Sequence, residues 1–557
     1  MTLRNRRSPR VDDRLRSRRI ACVKRRSAAS AILGLTAFAT LDAFAQMSVP
    51  SVPSVPGGAA GAGPGPNVLV TGSGQTWRIE PSISGQLYWT DNVNLVATNR
   101  QSDFVTQIVP RLVVDESSAN TTLTGSISAP ILLYANTGSE NNRVLPEVSL
   151  AGKVQLYPRL FYVDGSIQVT QEFVSPFAPR PTNLVNATNN RYTAQSYSVA
   201  PYLKGDGPSN FHYELRDSNI WTNTNALSNG DRAYTNEILG KLTQDPRPFG
   251  LDANYDRAET TFNDQRTTTR TEIGRLGGLW QPDPAWRLSL NAGYEDNQFL
   301  VDHFSGTTYG GGFAWHPSPR TNLDADAEHR FFGTAYHFLL SERLPLSIWT
   351  LRASRDITTY PQQIASLPAQ GDVNTLLDSL FSSRITDPAA RQAFVDQLIS
   401  ERGLPATLSQ PLDLFTEQAT LQQTIEGTVN LVGVRNTVLI TAYHRRTEPV
   451  PGTVSAEIDL LARAQIDNTQ DGATVAWSHR ITPLYTLTTT ADWFRVVAND
   501  ASGFNSKQGT VTSMLSAALS RLTRVFGGIR YQRFTTGSQQ ATVEETAVFV
   551  GIDHSFH

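Results

Sequence analysis

Apolar and polar side chains alternate with a period of two along most of the chain. The segment WRIEPSISGQLYW, residues 77–89, shows the pattern clearly. One face carries Trp77, Ile79, Pro81, Ile83, Leu87 and Trp89, and the other carries Arg78, Glu80, Ser82, Ser84 and Gln86. A period of two is typical of a β-strand with one apolar face, whereas a helix repeats about every 3.6 residues. The apolar face is aromatic at both ends and aliphatic between, as expected for a strand that crosses a bilayer.

Other stretches place charged side chains where a soluble β-sandwich would need its core. Asp324, Asp326, Glu328 and Arg330 share one face of a predicted strand, opposite Leu323, Ala325, Ala327 and Phe331. Arg352 and Asp356 have the same parity on a later strand. A barrel with lipid outside and water inside requires polar inward positions of this kind. We consider these six residues candidate lumen charges, which either select a polar or charged permeant or simply pair locally in a wet lumen.

Short and long connections alternate between the predicted strands. The short ones contain Pro-x-Pro, at Pro246/Pro248, Pro282/Pro284 and Pro317/Pro319. Proline suits a tight turn but not a paired central strand. Longer segments lie at 136–142, 173–191, 222–231 and 448–469. Outer-membrane barrels have short periplasmic turns and longer extracellular loops. The sequence therefore predicts an all-β fold, in which residues 76–557 form a transmembrane antiparallel up-and-down β-barrel of about 22 strands, within a range of about 18 to 24.

One segment, residues 361–412, has a helical period instead. Leu376, Leu377, Leu380 and Phe381 are spaced as on one face of a helix. A second helix is predicted to follow, with Thr386 or Asp387 as N-cap, Pro388 at the first position and Gly403 as C-cap. The order of strands places this helical insertion in a long extracellular loop. We expect it to cap or narrow the pore, to bind a partner, or to form a solvated, self-packed appendage.

The residues before the predicted barrel read as an export signal and a spacer. Eleven Lys or Arg residues precede Ser27, and an apolar stretch follows from Ala28 to about Leu41. Ala43 and Ala45 provide small-x-small cleavage before Gln46, so residues 1–45 are predicted to be a signal peptide. An uncleaved amphipathic helix is the alternative. Residues 46–75 begin with three Ser-Val-Pro units and a Gly/Ala/Pro run, which predicts a flexible tether.

Composition narrows the possible classes of function. Residues 1–45 hold 11 of the 48 Lys and Arg and three of the 50 Asp and Glu, so the remainder has a net charge of about −10. An acidic exported chain is not expected to bind nucleic acid, because the phosphates would repel it. The single cysteine, Cys22, lies in the predicted signal peptide. The sequence contains no hydrolase elbow, metalloprotease motif or P-loop, and we predict no catalytic residues, no cofactor and no metal site.

Three parts of the sequence resemble a known family. They are IEPSISGQLYWTDNVNL with the following SDFVTQIVPRL, the hairpin GGLWQPDPAWRLSLNAGYEDN, and the insertion LPAQGDVNTLLDSLFSSRITDPAARQAFVDQLISERGLPATLSQPL. In these parts the chain is similar to the PEP-CTERM system-associated outer-membrane proteins, which are similar to the broader β-barrel porins. The resemblance extends over residues 77–557. It implies a Gram-negative outer-membrane barrel encoded alongside exopolysaccharide and exosortase machinery, with a role in exopolysaccharide export or surface assembly, and it implies no catalytic residues.

The final stretch, AVFVGIDHSFH, continues the alternation to the last residues. Val548, Val550, Ile552 and Phe556 share one face. This stripe resembles the C-terminal signal that the barrel-assembly machinery reads, although His557 follows the aromatic residue. We predict that the last strand pairs with the first strand near Trp77, which would close the barrel and leave no open edge.

Three functions remain open at this point. The first is an outer-membrane, porin-like channel for exopolysaccharide or other polar solutes, since a barrel of about 20 strands without a folded plug encloses an aqueous passage. The second is a structural or adhesion protein that retains surface polysaccharide through its extracellular loops. The third is an outer-membrane enzyme acting on lipid or glycan. The expected partners are the outer-membrane lipid bilayer, the barrel-assembly machinery and, for the first two functions, exopolysaccharide with its export system.

Overall fold

The computed structural model describes residues 68–71, 75–225, 231–262, 267–299, 302–366, 373–382, 384–386, 391, 394–395, 397–399, 402–405, 408, 410–450, 460–500, 502–537 and 541–556. The predicted signal peptide, its cleavage site at Ala43, Ala45 and Gln46, and the greater part of the predicted tether lie outside these residues. The proposed N-cap at Asp387 and Pro388 lies outside them as well.

Strands make up most of the described chain. They are β1 (Val68–Thr71), β2 (Gln75–Thr90), β3 (Asp103–Ser117), β4 (Thr121–Ser128), β5 (Ile131–Tyr134), β6 (Arg143–Val144), β7 (Glu147–Tyr157), β8 (Phe161–Phe173), β9 (Arg191–Gly207), β10 (Phe211–Thr224), β11 (Asp231–Gln244), β12 (Phe249–Phe262), β13 (Thr267–Asp283), β14 (Trp286–Phe299), β15 (Asp302–Ser318), β16 (Thr321–Arg330), β17 (Gly333–Leu344), β18 (Ser347–Thr358), β19 (Thr420–Val432), β20 (Asn436–Pro449), β21 (Asn468–Arg480), β22 (Tyr485–Ala498), β23 (Asn505–Ala518), β24 (Thr523–Thr536) and β25 (Thr542–Ser555). The helices with described bounds are α1 (Gly138–Asn141), α2 (Tyr360–Ser366), α3 (Val373–Phe381) and α4 (Leu460–Ile466), and a 3-10 turn spans Pro208–Asn210.

Successive strands pair antiparallel, and the sheet closes into a barrel of 22 strands. β3 pairs with both β4 and β5, so β4 and β5 together count as one strand of the barrel. β6 and β7 together count as the next. β25 pairs with β2 in one register from Ser82↔Ser555 to Thr90↔Ala547. The predicted closure is confirmed, but it uses the second half of β2 rather than the region near Trp77. A tilted sheet can close only with a staggered register, which shifts the two end strands past each other.

β1 covers the edge of β2 that β25 leaves free. It pairs antiparallel with β2 from Val68↔Arg78 to Thr71↔Gln75. These residues lie in the range 46–75 that was predicted to be a flexible tether, so the sheet begins earlier than expected. The segment Val68–Thr71 is apolar and β-branched, and an unpaired strand edge offers it a row of backbone hydrogen-bonding groups.

The outer surface of the barrel carries a band of exposed aliphatic side chains bordered by aromatic ones. Ile83, Leu276, Leu290 and the terminal stripe with Val548, Val550, Ile552 and Phe556 all lie on this surface. The aromatic residues toward the long loops are Trp89, Tyr197, Tyr255, Tyr294, Tyr309, Trp493 and Tyr531, and those toward the short turns are Phe249, Trp280, Trp286, Trp349, Trp477 and Tyr485. Such a band with aromatic girdles is suited to lipid hydrocarbon and its two interfaces.

Short and long connections lie at opposite ends of the barrel. The Pro-x-Pro sequences lie at three of the short turns, between β11 and β12, β13 and β14, and β15 and β16, but Pro282 and Pro317 are the next-to-last residues of β13 and β15, where the strand register is irregular. The longest connections, 174–190, 359–419 and 450–467, are all at the other end. We call these ends periplasmic and extracellular, following the rule for outer-membrane barrels. Among the described residues, no helix is both long enough and apolar enough to cross a membrane.

The predicted helices of the insertion are present where the chain is described. α3 contains Leu376, Leu377, Leu380 and Phe381, and residues 391, 394–395, 397–399 and 402 are also helical. Gly403 has a φ of 58°, the left-handed conformation that a C-cap glycine adopts. The helical period was therefore read correctly, and Gly403 is confirmed as the C-cap.

Candidate channel lumen

The helical insertion enters the barrel from its extracellular end. It occupies the connection 359–419 between β18 and β19, whose end residues Thr358 and Thr420 are register partners. α2 crosses to another part of the wall, where the Tyr360 hydroxyl lies 2.8 Å from the Tyr192 hydroxyl of β9. Burial raises the pKa of Tyr360 well above its ordinary value, so this phenol stays protonated and available for the hydrogen bond.

Further along the chain, the insertion reaches the periplasmic end of the lumen. The apolar face of α3 packs on inward-facing side chains of β18–β21, close to their short turns. The wall contributes Ile348, Val432, Leu439 and Ala476, and the insertion contributes Val373, Leu377, Leu380, Phe381, Val395, Leu398, Leu404 and Leu408. Leu377 and Leu439 are completely buried in this cluster. The insertion therefore extends through the lumen from one end to the other.

Arginines of the insertion bind the main chain of the short periplasmic turns. Arg384 donates a hydrogen bond to the carbonyl oxygen of Pro345. Arg402 donates to the carbonyl oxygen of Val434 at 2.9 Å, and its own carbonyl accepts a hydrogen bond from the Ser478 hydroxyl at 2.5 Å. These contacts give the polar groups of the insertion partners on the wall, as buried polar groups require.

The returning part of the insertion is bound to the wall near the extracellular end. The backbone nitrogen and oxygen of Leu412 both bond to the Gln470 side chain of β21, at 2.9 and 3.2 Å. Asp413 forms a buried ion pair with Arg445 of β20. The expectation of a solvated, self-packed appendage is thus wrong. The apolar face of α3 needed a surface to cover it, and the inner wall supplied one.

A second connection, 174–190 between β8 and β9, also folds into the lumen and covers β22–β25. Gln508 of β23 accepts a hydrogen bond from the Arg180 backbone nitrogen at 3.0 Å and donates one to its carbonyl at 2.6 Å. The Asn186 amide donates to Glu545 of β25 at 3.1 Å. α4 of the third long connection lies against the same segment. The inner wall from β20 to β25 is therefore covered by the helical insertion, the 174–190 segment and α4.

The wall from β12 to β18 has a different character, because charged side chains pair with each other across strands. Arg275 of β13 binds Glu328 of β16 through two hydrogen bonds of 2.7 and 2.8 Å, and Asp256 of β12 at 3.1 Å. It can reach across two strands because Gly293 and Gly310 lie beneath it. A Cβ at Gly293 would be 3.1 Å from Arg275 Cγ, and one at Gly310 would be 2.9 Å from Glu328 Cα. The glycine-rich stretch of β15 thus makes room for an ion pair.

A second ion-pair group lies beside the first. Arg330 of β16 lies 3.1 Å from Glu295 of β14 and 2.7 Å from Asp356 of β18. The backbone nitrogen of Phe331 donates to Glu295 at 2.6 Å. Only 1% of the Glu295 side chain is exposed. An ionised carboxylate buried this deeply is stable only with such partners.

The six candidate lumen charges all lie on this wall. They are Asp324, Asp326, Glu328, Arg330, Arg352 and Asp356. Besides the pairs above, Asp324 lies 3.1 Å from His316 and Asp326 lies 3.6 Å from His337. Arg352 is exposed and has no hydrogen bond or ion pair within the part of the chain that the structure describes. Five of the six charges are therefore paired locally.

Sequence reasoning missed Asp256, Arg275 and Glu295. Each is on a different strand, and the nearest other charged inward residues of β12 and β14, Asp252 and Arg287, are too far along the strand to form a continuous charged face. Antiparallel pairing alone brings them together. The available signal was indirect: inward glycines on two adjacent strands, at positions 293 and 310, leave space that a long side chain from a neighbouring strand can fill.

Part of this charged wall is open to water. The exposed fractions of the side chains are 36% for Asp256, 25% for Asp356, 21% for Asp326 and 20% for Asp324. These side chains point inward, so the water that reaches them lies in the lumen. The lumen therefore has a packed region along β20–β25 and a wet region along β12–β18, where these carboxylates and the exposed Arg352 meet water.

These features define the class of the protein. A closed barrel of 22 strands, with a lipid-facing apolar band outside and polar side chains inside, is an outer-membrane β-barrel with a channel-type lumen. Its backbone hydrogen bonds are satisfied within the sheet, as crossing a hydrocarbon layer requires.

Comparison with known proteins finds similar barrels only among solved structures. The siderophore receptor PiuA from Acinetobacter baumannii has a TM-score of 0.42 and 9% identity, covering 88% of this chain and 82% of that one. The FrpB iron transporter from Neisseria meningitidis has a TM-score of 0.45 and 8% identity, covering 86% and 82%. OpdK from Pseudomonas aeruginosa, solved with vanillate, has a TM-score of 0.30 and 10% identity, covering 86% and 99%. Neither a family model nor a curated protein sequence matches the chain. The class assignment therefore rests on the barrel itself.

Proposed function

We propose that the protein is an outer-membrane channel for small polar solutes, which pass along the wet wall of β12–β18 while the helical insertion narrows the lumen. The observation that carries the proposal is the set of four partly exposed carboxylates, Asp256, Asp324, Asp326 and Asp356, inside a lumen whose wall from β20 to β25 is covered by inserted chain. Carboxylates that line a narrow passage with low-dielectric walls attract cations and repel anions. We therefore expect a channel that prefers cations and neutral polar solutes.

The test is the reversal potential of the purified protein in planar bilayers under a gradient of potassium chloride. The wild-type channel should select potassium over chloride. The double variant Asp256→Asn/Asp356→Asn should shift the reversal potential toward zero. Asp256→Asn alone should give part of this shift, and Glu259→Gln is its matched control, because that substitution removes one carboxylate from the outward face of the same strand.

A wild-type protein that conducts without ion preference would contradict the role of the carboxylates. A protein that never conducts would contradict the channel itself. In that case, assays of polymer retention by cells and of lipid or glycan hydrolysis by the purified barrel would address the adhesion and enzyme alternatives.

Exopolysaccharide export is the narrower version of this proposal. It is supported by the resemblance of the sequence to barrels associated with exopolysaccharide systems and by the large number of strands, which gives the barrel a wide lumen. A hydrated polysaccharide chain needs more room than the wet region beside the insertion, so export would require the insertion to move. Cells lacking the protein should accumulate polymer in the periplasm. Normal release of polymer from such cells would exclude an export role and leave the solute channel standing.

A further inference from the structure

Three cations lie on the outward face of β22–β24, immediately above the apolar band. They are Arg495, Lys507 and Arg533, and we call them the outer cation patch. All three side chains are exposed. Arg495 follows the lipid-facing Trp493 by two residues, and Arg533 follows Tyr531 by two residues, which is about 7 Å along a strand. The patch therefore lies at the extracellular interface of the bilayer, level with lipid headgroups.

The register of the strands brings these like charges together. Arg495 and Lys507 are direct cross-strand partners, and Arg533 is the partner of Gly509, two residues from Lys507. Like charges directly opposite each other destabilise a sheet. A group of the opposite charge at this position would remove the repulsion.

The neighbouring acidic residues do not neutralise the patch. Asp471 is the register partner of Arg495, but its carboxylate lies 2.7 Å from His444 of β20. Glu544 lies 3.7 Å from Arg533 and 3.6 Å from Arg100, so it is shared between two cations. Within the described chain, Arg495 and Lys507 have no ion pair. Two acidic side chains thus face four arginine or lysine side chains in this region.

Between the cations the surface is open. Gly509 faces outward, and its register partners are Trp493 on β22 and Arg533 on β24. Lys507 lies two residues from Gly509 on the same strand, toward the extracellular end. An ideal Cβ at Gly509 would have no protein atom within 4 Å. The patch therefore borders a notch in the barrel surface, with an indole on one side and a guanidinium on the other.

β12 and β13 also carry two outward arginines near the extracellular interface, but the charges of these arginines are paired. They therefore serve as an internal control for the outer cation patch. Arg257 and Arg270 also face outward, and Arg257 lies two residues above the lipid-facing Tyr255. Each of these arginines forms an ion pair with a glutamate two residues along its own strand. Each interfacial arginine on β12 and β13 thus has a glutamate of its own, whereas in the outer cation patch Arg495 has no ion pair among the described residues and Arg533 shares Glu544 with Arg100.

We propose that the outer cation patch binds the phosphate groups of a phosphorylated glycolipid of the extracellular leaflet, such as lipid A, with the Gly509 notch receiving the headgroup. Cationic clusters at a membrane interface bind anionic lipid headgroups, with each cation contributing separately. Phosphate offers several acceptor oxygens, which match the forked donors of two arginines and the ammonium of a lysine. The site is independent of the channel proposal, since it lies on the opposite surface of the wall.

The experiment measures binding of bisphosphorylated lipid A to the purified full-length protein in detergent, by native mass spectrometry. The triple variant Arg495→Gln/Lys507→Gln/Arg533→Gln should bind about 100-fold more weakly, while Arg257→Gln/Arg270→Gln should stay within about two-fold of wild type. Equal losses in both variants, or no loss in the triple variant, would overturn the proposal.

Two further arms separate headgroup binding from simpler explanations. Gly509→Leu keeps every charge and fits the open space, and it should weaken lipid A binding by filling the notch; unchanged binding would contradict the notch. Inorganic phosphate should fail to displace lipid A at millimolar concentration. Displacement by phosphate alone would assign the patch to the free ion rather than to the lipid. Heat-modifiable migration in gels verifies that each variant forms the folded barrel.

Discussion

The two sides of the inner wall satisfy their inward polar groups in different ways. Along β12–β18, arginines and carboxylates from separate strands pair with one another, and the insertion contacts this wall near its periplasmic end, where Arg343 donates to the Ser379 carbonyl oxygen and Ile348 packs against the insertion. Along β20–β25, the inward residues are mainly hydroxyls, amides and apolar side chains, and the insertion and the 174–190 segment supply their partners. The charged part of the first wall is therefore held by its own ion pairs, whereas the second wall depends on the inserted segments for partners. This difference places the wet region beside the ion pairs of β12–β18 and the packed region, with its inserted chain, along β20–β25.

The largest expected effect comes from breaking the charged wall at its most buried point. Arg330→Ala leaves Glu295 as an unpaired buried carboxylate and should destabilise the barrel by about 3–5 kcal/mol. Urea unfolding in detergent micelles measures this change. Arg352→Ala, on the same wall but exposed and without a described partner, should change stability by less than about 0.5 kcal/mol. Equal effects of the two substitutions would contradict the claim that the wall is held by its own ion pairs.

A cavity under the insertion should loosen the insertion without unfolding the barrel. Leu377→Ala removes a completely buried side chain from the cluster at the periplasmic end and should cost about 2–5 kcal/mol locally. Hydrogen exchange of the insertion amides should accelerate, while the urea midpoint of the barrel strands stays the same. Leu376→Ala, next to it but only partly buried, should have a smaller effect. A loss of barrel stability in Leu377→Ala would mean that the insertion and the strands it covers unfold as one unit.

The smallest effect is expected at the glycines beneath Arg275. A methyl group at Gly310 would meet the Ala327 carbonyl oxygen at 2.7 Å, so Gly310→Ala should cost about 1–3 kcal/mol. Gly306 lies on the same strand with the same inward parity, and nothing lies within 4 Å of its ideal Cβ. Gly306→Ala should therefore be close to neutral. The measurement is again the urea midpoint, and a neutral Gly310→Ala would contradict the close approach of β15 to the Ala327–Glu328 backbone of β16.

Most of the barrel could be predicted from sequence, because alternation is a local signal. The faces of residues 77–89 and of the last strand follow directly from period two, and the observed exposure of Leu87, Trp89 and Val550 agrees. The strand number of 22 and the closure between the last and first strands are confirmed. The register of that closure was not predictable, because it depends on the stagger of the whole barrel and not on any one strand.

The interior was predictable only in part. The helical period of the insertion identified the apolar face with Leu377 and Leu380 but not the surface that covers it. That surface combines single residues from four strands, among them Ile348 and Leu439. Apolar residues at inward positions near the periplasmic turns were the available clue, since a wholly wet lumen would have polar residues there. The resemblance to exopolysaccharide-associated barrels stays a prediction.

We infer that the insertion obstructs a lumen that would otherwise be open. The direct test is single-channel conductance in planar bilayers, comparing the full chain with a variant in which a short Gly/Ser linker replaces residues 361–412. Because Thr358 and Thr420 are register partners, a short linker can join β18 to β19. The same linker placed in the short turn between β23 and β24 is the control. We predict a several-fold larger conductance for the deletion alone, and equal conductance for the deletion and the full chain would contradict this account of the lumen.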